Sequence, residues 1–131
     1  AEIDGITFGL TICYDLRFPE LFRSLALRGA EILMVPAAFT LHTGRDHWEV
    51  LLRARAIENL CYVVAPAHVG SHPPNKQCFG RSMLVNPWGL VTAQAPDMPT
   101  VVVADIDLSQ IEQAHTQLPS LDHRKPQVYH L

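Results

Sequence analysis

At 131 residues the chain is long enough for one domain with its own core, since a chain near this size buries roughly two-thirds of the surface its unfolded form exposes. Hydrophobic residues make up 48% and charged residues 18%, a balance that excludes disorder over most of the length. A net charge of -3 with ten scattered basic residues excludes nucleic acid as a partner, and no apolar run approaches the roughly 20 residues of a membrane span.

In chain order, Ile6 to Ile12 is a β-rich run ending at Cys13, and Pro19 to Arg28 places Leu21, Phe22, Leu25 and Ala26 at helical spacing. Pro19 suits a first helical turn and Gly29 a helix stop. Glu31 to Pro36 is a short apolar run of the kind a parallel strand buried on both faces shows, which completes a right-handed βαβ unit. Thr40 to Asp46 is polar, contains Gly44 and reads as a loop, after which Asp46 caps a helix from His47 to Asn59. Tyr62 to Ala67 is another buried strand. His68 to Gln77, with Gly70, Pro73, Pro74 and Asn75, reads as an exposed loop.

Ser82 to Asn86 and Leu90 to Ala93 flank Pro87-Trp88-Gly89 as two antiparallel strands about a turn. Thr100 to Ile106 is predicted as a further strand, Leu108 to Leu118 as a last helix, and 119 to 131 as an extended tail. A sheet that opens on the strand before Cys13 has a bare edge, which another chain must cover unless the sequence is the second part of a longer fold. The second of these is the expectation adopted.

Cys13, Cys61 and Cys78 have no CxxC spacing and leave one thiol over under any disulfide scheme, which fits a reduced, cytoplasmic setting; no signal peptide opens the chain. His42 and His47 are five apart, His68 and His72 flank the Pro-rich loop, and no HExxH run occurs, so no metal or other cofactor is expected. Cys13 stands where an apolar strand turns into a helix, at the carboxyl edge at which open α/β sheets bind ligands. Backbone N–H groups at such an elbow, first that of Tyr14, can point at an oxyanion. The other reading of Cys13 is a buried structural cysteine.

The run Cys13-Tyr-Asp-Leu-Arg-Phe-Pro-Glu20 resembles the nucleophile motif of the nitrilase superfamily. Val35-Pro-Ala-Ala-Phe39, the helix His47 to Asn59, Gly80-Arg-Ser-Met83 and Asn86-Pro-Trp-Gly89 resemble further motifs in the family's order. The tail from Leu118 to Tyr129 and the helix with Trp48 are similar to the branch that includes deaminated glutathione amidase and ω-amidase. This resemblance implies an α/β fold, the C-terminal half of a nitrilase-type α-β-β-α sandwich, in a homo-oligomer of two or more copies.

It also implies hydrolysis of a small carboxylate-bearing amide, deaminated glutathione first and α-ketoglutaramate second. The Cys13 thiolate attacks the amide carbon, a thioester forms, ammonia leaves, and water hydrolyses the thioester. The family's Glu base and Lys come from segments before the cysteine. Lys76 and Lys125 do not match that lysine, so the chain alone is expected to be a poor enzyme or a non-catalytic subunit acting through association.

His47 is a rival base for Cys13, or else a local helix residue. Arg17 and Glu20 could pair and fix the elbow, or stay solvated. Glu49 and Arg53, at i and i+4, give an ion pair of structural role. Pro36, Ala37, Phe39 and Thr40 follow the second strand and could line the substrate pocket, with packing the alternative for Ala37 and Phe39. Trp48 and Trp88 read as core or interface aromatics, Cys61 as a small hydrophobe and Cys78 as an exposed bystander.

Overall fold

A computed structural model describes residues 1–129. In chain order the elements are β1 (Glu2–Ile3), β2 (Ile6–Leu10), a 3-10 turn (Cys13–Arg17), α1 (Pro19–Leu27), β3 (Ile32–Met34), α2 (Leu41–Asn59), β4 (Tyr62–Ala65), β5 (Val69–His72), β6 (Lys76–Phe79), β7 (Met83–Val85), β8 (Val91–Gln94) and α3 (Ser109–Gln117). Six strands form one sheet in the order β1-β2-β3-β4-β7-β8, and β5 and β6 form a separate hairpin. The pairs β2–β3 and β3–β4 are parallel, as the βαβ pattern requires, while β7 and β8 run antiparallel.

The opening strand is covered only over Ile6 to Phe8, and among the described residues its edge beyond that stays bare. β1 folds back on β2 through Asp4 and Gly5, both at positive φ (51° and 78°), the geometry of the tight hairpin turns that Asp-Gly favours. α2 begins at Leu41, so the expected loop at 40–46 is mostly helix; Thr40, not Asp46, stands at its N-cap. Gly44 is buried there against Phe79, and this tertiary contact outweighs glycine's poor helix propensity. The expected loop at 68–77 is the β5–β6 hairpin, in register from Val69 opposite Phe79 to His72 opposite Lys76, with the proline pair confined to its turn. Cys78 consequently faces inward and is buried.

Thr100 to Ile106 pairs with no strand among the described residues: Val101 and Val103 are 85% and 89% exposed, so β propensity found no ladder to join. The described part of the tail, 118–129, is a series of turns. Asp122 N–H donates to Pro119 O at 3.2 Å and Val128 N–H to Lys125 O at 2.9 Å, so the tail is not extended; its last two residues lie outside those described.

Helices α1 and α2 cover one face of the sheet. Phe22, Trp48, Leu52 and Ala56 meet Leu33, Val35, Val63 and Val85 there, together with Leu16 from the 3-10 turn. On the other face Ile32, Tyr62 and Leu84 gather Phe8, Met34, Val64, Ile106 and Ile111. Gly9 of β2 lets β3 and α1 pack close to its backbone, since a Cβ there would stand 2.8 Å from Leu33 Cδ2 and 3.2 Å from Leu25 Cβ. This presses the end of β2, and the turn after it, onto the α1–α2 core.

Candidate active site

The chain leaving β2 stays bonded to the one leaving β3. Thr11 N–H and its Oγ1 both donate to Met34 O (3.0 and 2.8 Å), and Cys13 N–H donates to Pro36 O at 2.8 Å. Cys13 therefore sits just past the carboxyl ends of two parallel strands, half-buried against the core. Its φ is +47°, a left-handed conformation that costs a non-glycine residue about 1–2 kcal/mol. The 3-10 turn starts at that residue. Its entry is tied by Ile12 N–H donating to Asp15 Oδ2 at 2.8 Å and by Asp15 N–H donating to Ile12 O at 2.9 Å. Tyr14 N–H falls in the first turn, where a helix offers its own N–H groups no acceptor.

Arg17 does not pair with Glu20. Its guanidinium lies over the rings of Tyr14 (5.5 Å) and Phe39 (5.2 Å), and Nη1 donates to His47 Nδ1 at 3.3 Å. The flat, weakly hydrated cation is held by two aromatic faces instead of by an exposed carboxylate three residues away. His47, placed within α2 and not at its start, spends Nδ1 as an acceptor on Arg17. No hydrogen bond joins it to Cys13 among the described residues, so the geometry gives the rival base no support.

Of the four expected pocket residues, Pro36 and Thr40 are exposed, whereas Ala37 and Phe39 are buried. Ala37 bridges to Ala67, and the Phe39 ring packs 5.1 Å from that of Trp48. Trp48 is fully buried with Nε1 donating to Arg81 O at 2.9 Å, while Trp88 is 52% exposed and not a core residue. Glu49 and Arg53 approach to 3.6 Å on the solvent face of α2, and Arg53 Nε also donates to Gly89 O at 2.8 Å, tying the 87–89 turn to the helix. A cleft of about 480 Å³ lies beside the β5–β6 hairpin, lined by Arg45, Ser71, Cys78 and Arg81, and Cys13 does not line it. Arg81 there is paired with Asp97, whose carboxyl the guanidinium holds below the usual carboxylate range.

Sequence reasoning passed over Arg55. It is buried in α2, donates from Nε and Nη2 to Leu16 O in the 3-10 turn (3.2 and 2.7 Å), and donates from Nη1 to Glu58 Oε1 at 2.9 Å. The signal was available: Trp48, Leu52, Arg55, Ala56 and Asn59 share the inward stripe of the helix, so an arginine stands on an apolar face and must find partners. Cys61 is the chemical contrast to Cys13. Burial pushes its thiol up to about 12, and Sγ donates to Ala30 O and Asn59 O. Among the described residues no cluster of His, Cys, Asp or Glu is arranged to hold a metal ion.

The family model described as carbon-nitrogen hydrolase matches residues 1–116. The chain belongs to the carbon-nitrogen hydrolase family. It is 53% identical over 116 residues to a deaminated glutathione amidase of Synechocystis, a match covering 88% of this chain and 43% of that protein. The crystal structure of the Caenorhabditis elegans NitFhit protein superimposes with a TM-score of 0.91 at 52% identity, over 93% of this chain and 30% of the other.

An amidase from Nesterenkonia, shown with the acetamide moiety of fluoroacetamide added covalently at its active site cysteine, superimposes with a TM-score of 0.77 at 29% identity, over 95% of this chain and 43% of that one. The mixed α/β fold is thus that of nitrilase-superfamily structures. The chain spans less than half the length of each of these relatives, and the matches do not support the expected placement as a C-terminal half. No helix among the described residues is long and apolar enough to cross a membrane.

Proposed function

We propose that this carbon-nitrogen hydrolase chain supplies the nucleophile of an amidase, with Cys13 attacking the amide carbon of a small carboxylate-bearing substrate. The observation that carries the reading is the placement of Cys13: a strained, positive-φ residue past the ends of β2 and β3 that opens a 3-10 turn. In the step proposed, the Cys13 thiolate bonds to the carbonyl carbon and the oxyanion receives the Tyr14 N–H. The C–N electrons then leave with the amide nitrogen, which takes a proton from the general acid and departs as ammonia; water attacks the thioester carbon, and the Cys13 sulfur leaves as the carboxylate product forms.

Arg17 pairs with no carboxylate among the described residues and is assigned here to the substrate carboxylate. Of the expected pocket residues, Pro36, whose carbonyl accepts from the Cys13 N–H, and Thr40 are the exposed ones. No carboxylate, lysine or imidazole hydrogen-bonds Cys13 among the described residues, so the general base and a cation that joins the Tyr14 N–H at the oxyanion are assigned to other parts of the protein. The names of the relatives support deaminated glutathione as the first candidate substrate; α-ketoglutaramate is the second candidate, on the sequence resemblance alone. Three free cysteines fit work in the cytoplasm, and the assembly proposed, on the sequence resemblance, is a homo-oligomer of two or more copies.

The test is ammonia release from each amide by the native polypeptide that carries these residues. Cys13→Ala should reduce release to background, and Cys13→Ser should leave at most a trace. Release that survives Cys13→Ala would overturn the reading. No release by the unaltered protein would favour a non-catalytic subunit instead, a reading supported by the lack of a base beside Cys13.

A further inference from the structure

The turn that carries Cys13 has a gap in its own hydrogen bonding. In a 3-10 turn each carbonyl is met by the N–H three residues on, and Phe18 N–H meets Asp15 O in this way at 2.9 Å. The next carbonyl, Leu16 O, has Pro19 at that position, and proline carries no N–H. Proline is well suited to the first position of α1, so the helix start that follows the elbow deprives the elbow of a donor.

Arg55 of α2 fills the gap from 39 residues away with two N–H groups on the one oxygen, at 2.7 and 3.2 Å. The guanidinium is itself fixed on two sides. Nη1 is held by Glu58 one turn along the helix, and the Phe22 ring lies 5.4 Å from Cζ. With only 6% of its side chain exposed, Arg55 has no water to replace these partners.

We propose that Arg55 is a positioning residue for the nucleophile. It locks the 3-10 turn to α2 through Leu16 O, and so fixes where Cys13 Sγ and the Tyr14 N–H point. This rests on the amidase reading for its kinetic consequence, though not for its structural one. Arg55 touches no reacting atom. Its effect therefore falls on the rate of the chemical step and not on substrate affinity, because a misplacement of about 1 Å at a reacting group can cost on the order of 100-fold.

The experiment compares Arg55→Lys, Arg55→Ala and Glu58→Gln in the native polypeptide, with deaminated glutathione as substrate and iodoacetamide as a second, activity-independent probe of Cys13. Arg55→Lys keeps the charge but cannot place two donors on one carbonyl while holding Glu58; kcat should fall by about 30-fold or more, with KM changed by less than about 3-fold. Guanidinium ion at millimolar concentration should restore part of the turnover of Arg55→Ala, a rescue that a merely space-filling role would not show.

The Cys13 alkylation rate should change by at least about 5-fold in Arg55→Lys. Turnover and alkylation both within about 2-fold of the unaltered protein would overturn the proposal. Should the Arg55 variants fail to melt cooperatively, Glu58→Gln decides: it leaves Leu16 O bonded but loosens the clamp, and an unchanged kcat there would sink the idea. If the unaltered protein releases no ammonia, the amidase reading fails by itself. The alkylation comparison then still decides whether Arg55 sets the geometry of Cys13.

Discussion

Cys13 and Cys61 are the same functional group in two surroundings, and their different behaviour follows from burial. Cys61 is 3% exposed, donates its S–H to two carbonyls, and keeps its proton up to about pH 12. Iodoacetamide should therefore label Cys13 well before Cys61 at pH 8; equal labelling of the two in the folded protein would contradict the assignment. The same shift sets a stability limit. Below pH 9 both the folded and the unfolded chain hold the Cys61 proton, and its contribution is constant.

Between pH 9 and about 12 the unfolded chain releases that proton first, so stability falls, by up to about 4 kcal/mol at the top of the range. Tyr62, also pushed up by burial, adds to the same loss. Cys61→Ala should thus give a shallower fall of Tm between pH 9 and 11 than the unaltered protein, and parallel curves would refute the attribution. Arg17 carries the third expectation at this scale. On the proposed contact between Arg17 and the substrate carboxylate, Arg17→Gln costs about 1.5–3 kcal/mol and should raise KM by roughly tenfold to a hundredfold.

At the level of elements, the sequence showed the central parallel strands and the strand–turn–helix around Cys13, because Ile6 to Leu10, Ile32 to Met34 and Tyr62 to Ala65 are apolar runs closed by turn residues. What it did not show depended on contacts distant in sequence. Gly44 and the polar run 40–46 argue locally for a loop, and only Phe79, brought over by β6, makes a helix with a bare surface at residue 44 the better packing. The pairing of Arg17 likewise turned on Phe39 and His47, which no local spacing places beside it.

Conversely, Thr100 to Ile106 has strand composition but no neighbour to complete it. The first case yields a test that opposes propensity to packing. Gly44→Ala should favour an isolated helix by about 1 kcal/mol, yet a Cβ at this position runs into the Phe79 side chain. Because overpacking costs about 1–3 kcal/mol, the net effect expected is destabilisation, read as a lower Tm. A raised Tm would mean that Phe79 yields and that β6 is loosely held.

For the whole molecule, the balance between covered and uncovered surface decides association. The α1–α2 layer closes one face of the sheet around a fully buried Trp48, Phe22 and Leu33. Among the described residues the other face has only α3 and the unpaired 100–106 segment near it, and a groove lined by Val64, Leu84, Ala93, Val102 and Ile106 stays open there. β8 also leaves one edge of the sheet without a neighbour among the described strands. Leu10 and Ile12, which lead into Cys13, are more than half exposed as well.

Open apolar surface beside an unpaired strand edge is what partner chains remove, and its burial is favourable at about 25 cal/mol per Å². The 131-residue chain by itself should therefore sediment at micromolar concentration as a dimer or larger species. Replacing Val101 and Val103 together with lysine should shift it toward monomer, since both side chains are open and support no ladder. A single monodisperse species of 14.6 kDa with a cooperative melt would overturn this expectation, because it would mean that the second face is stable in water without a cover.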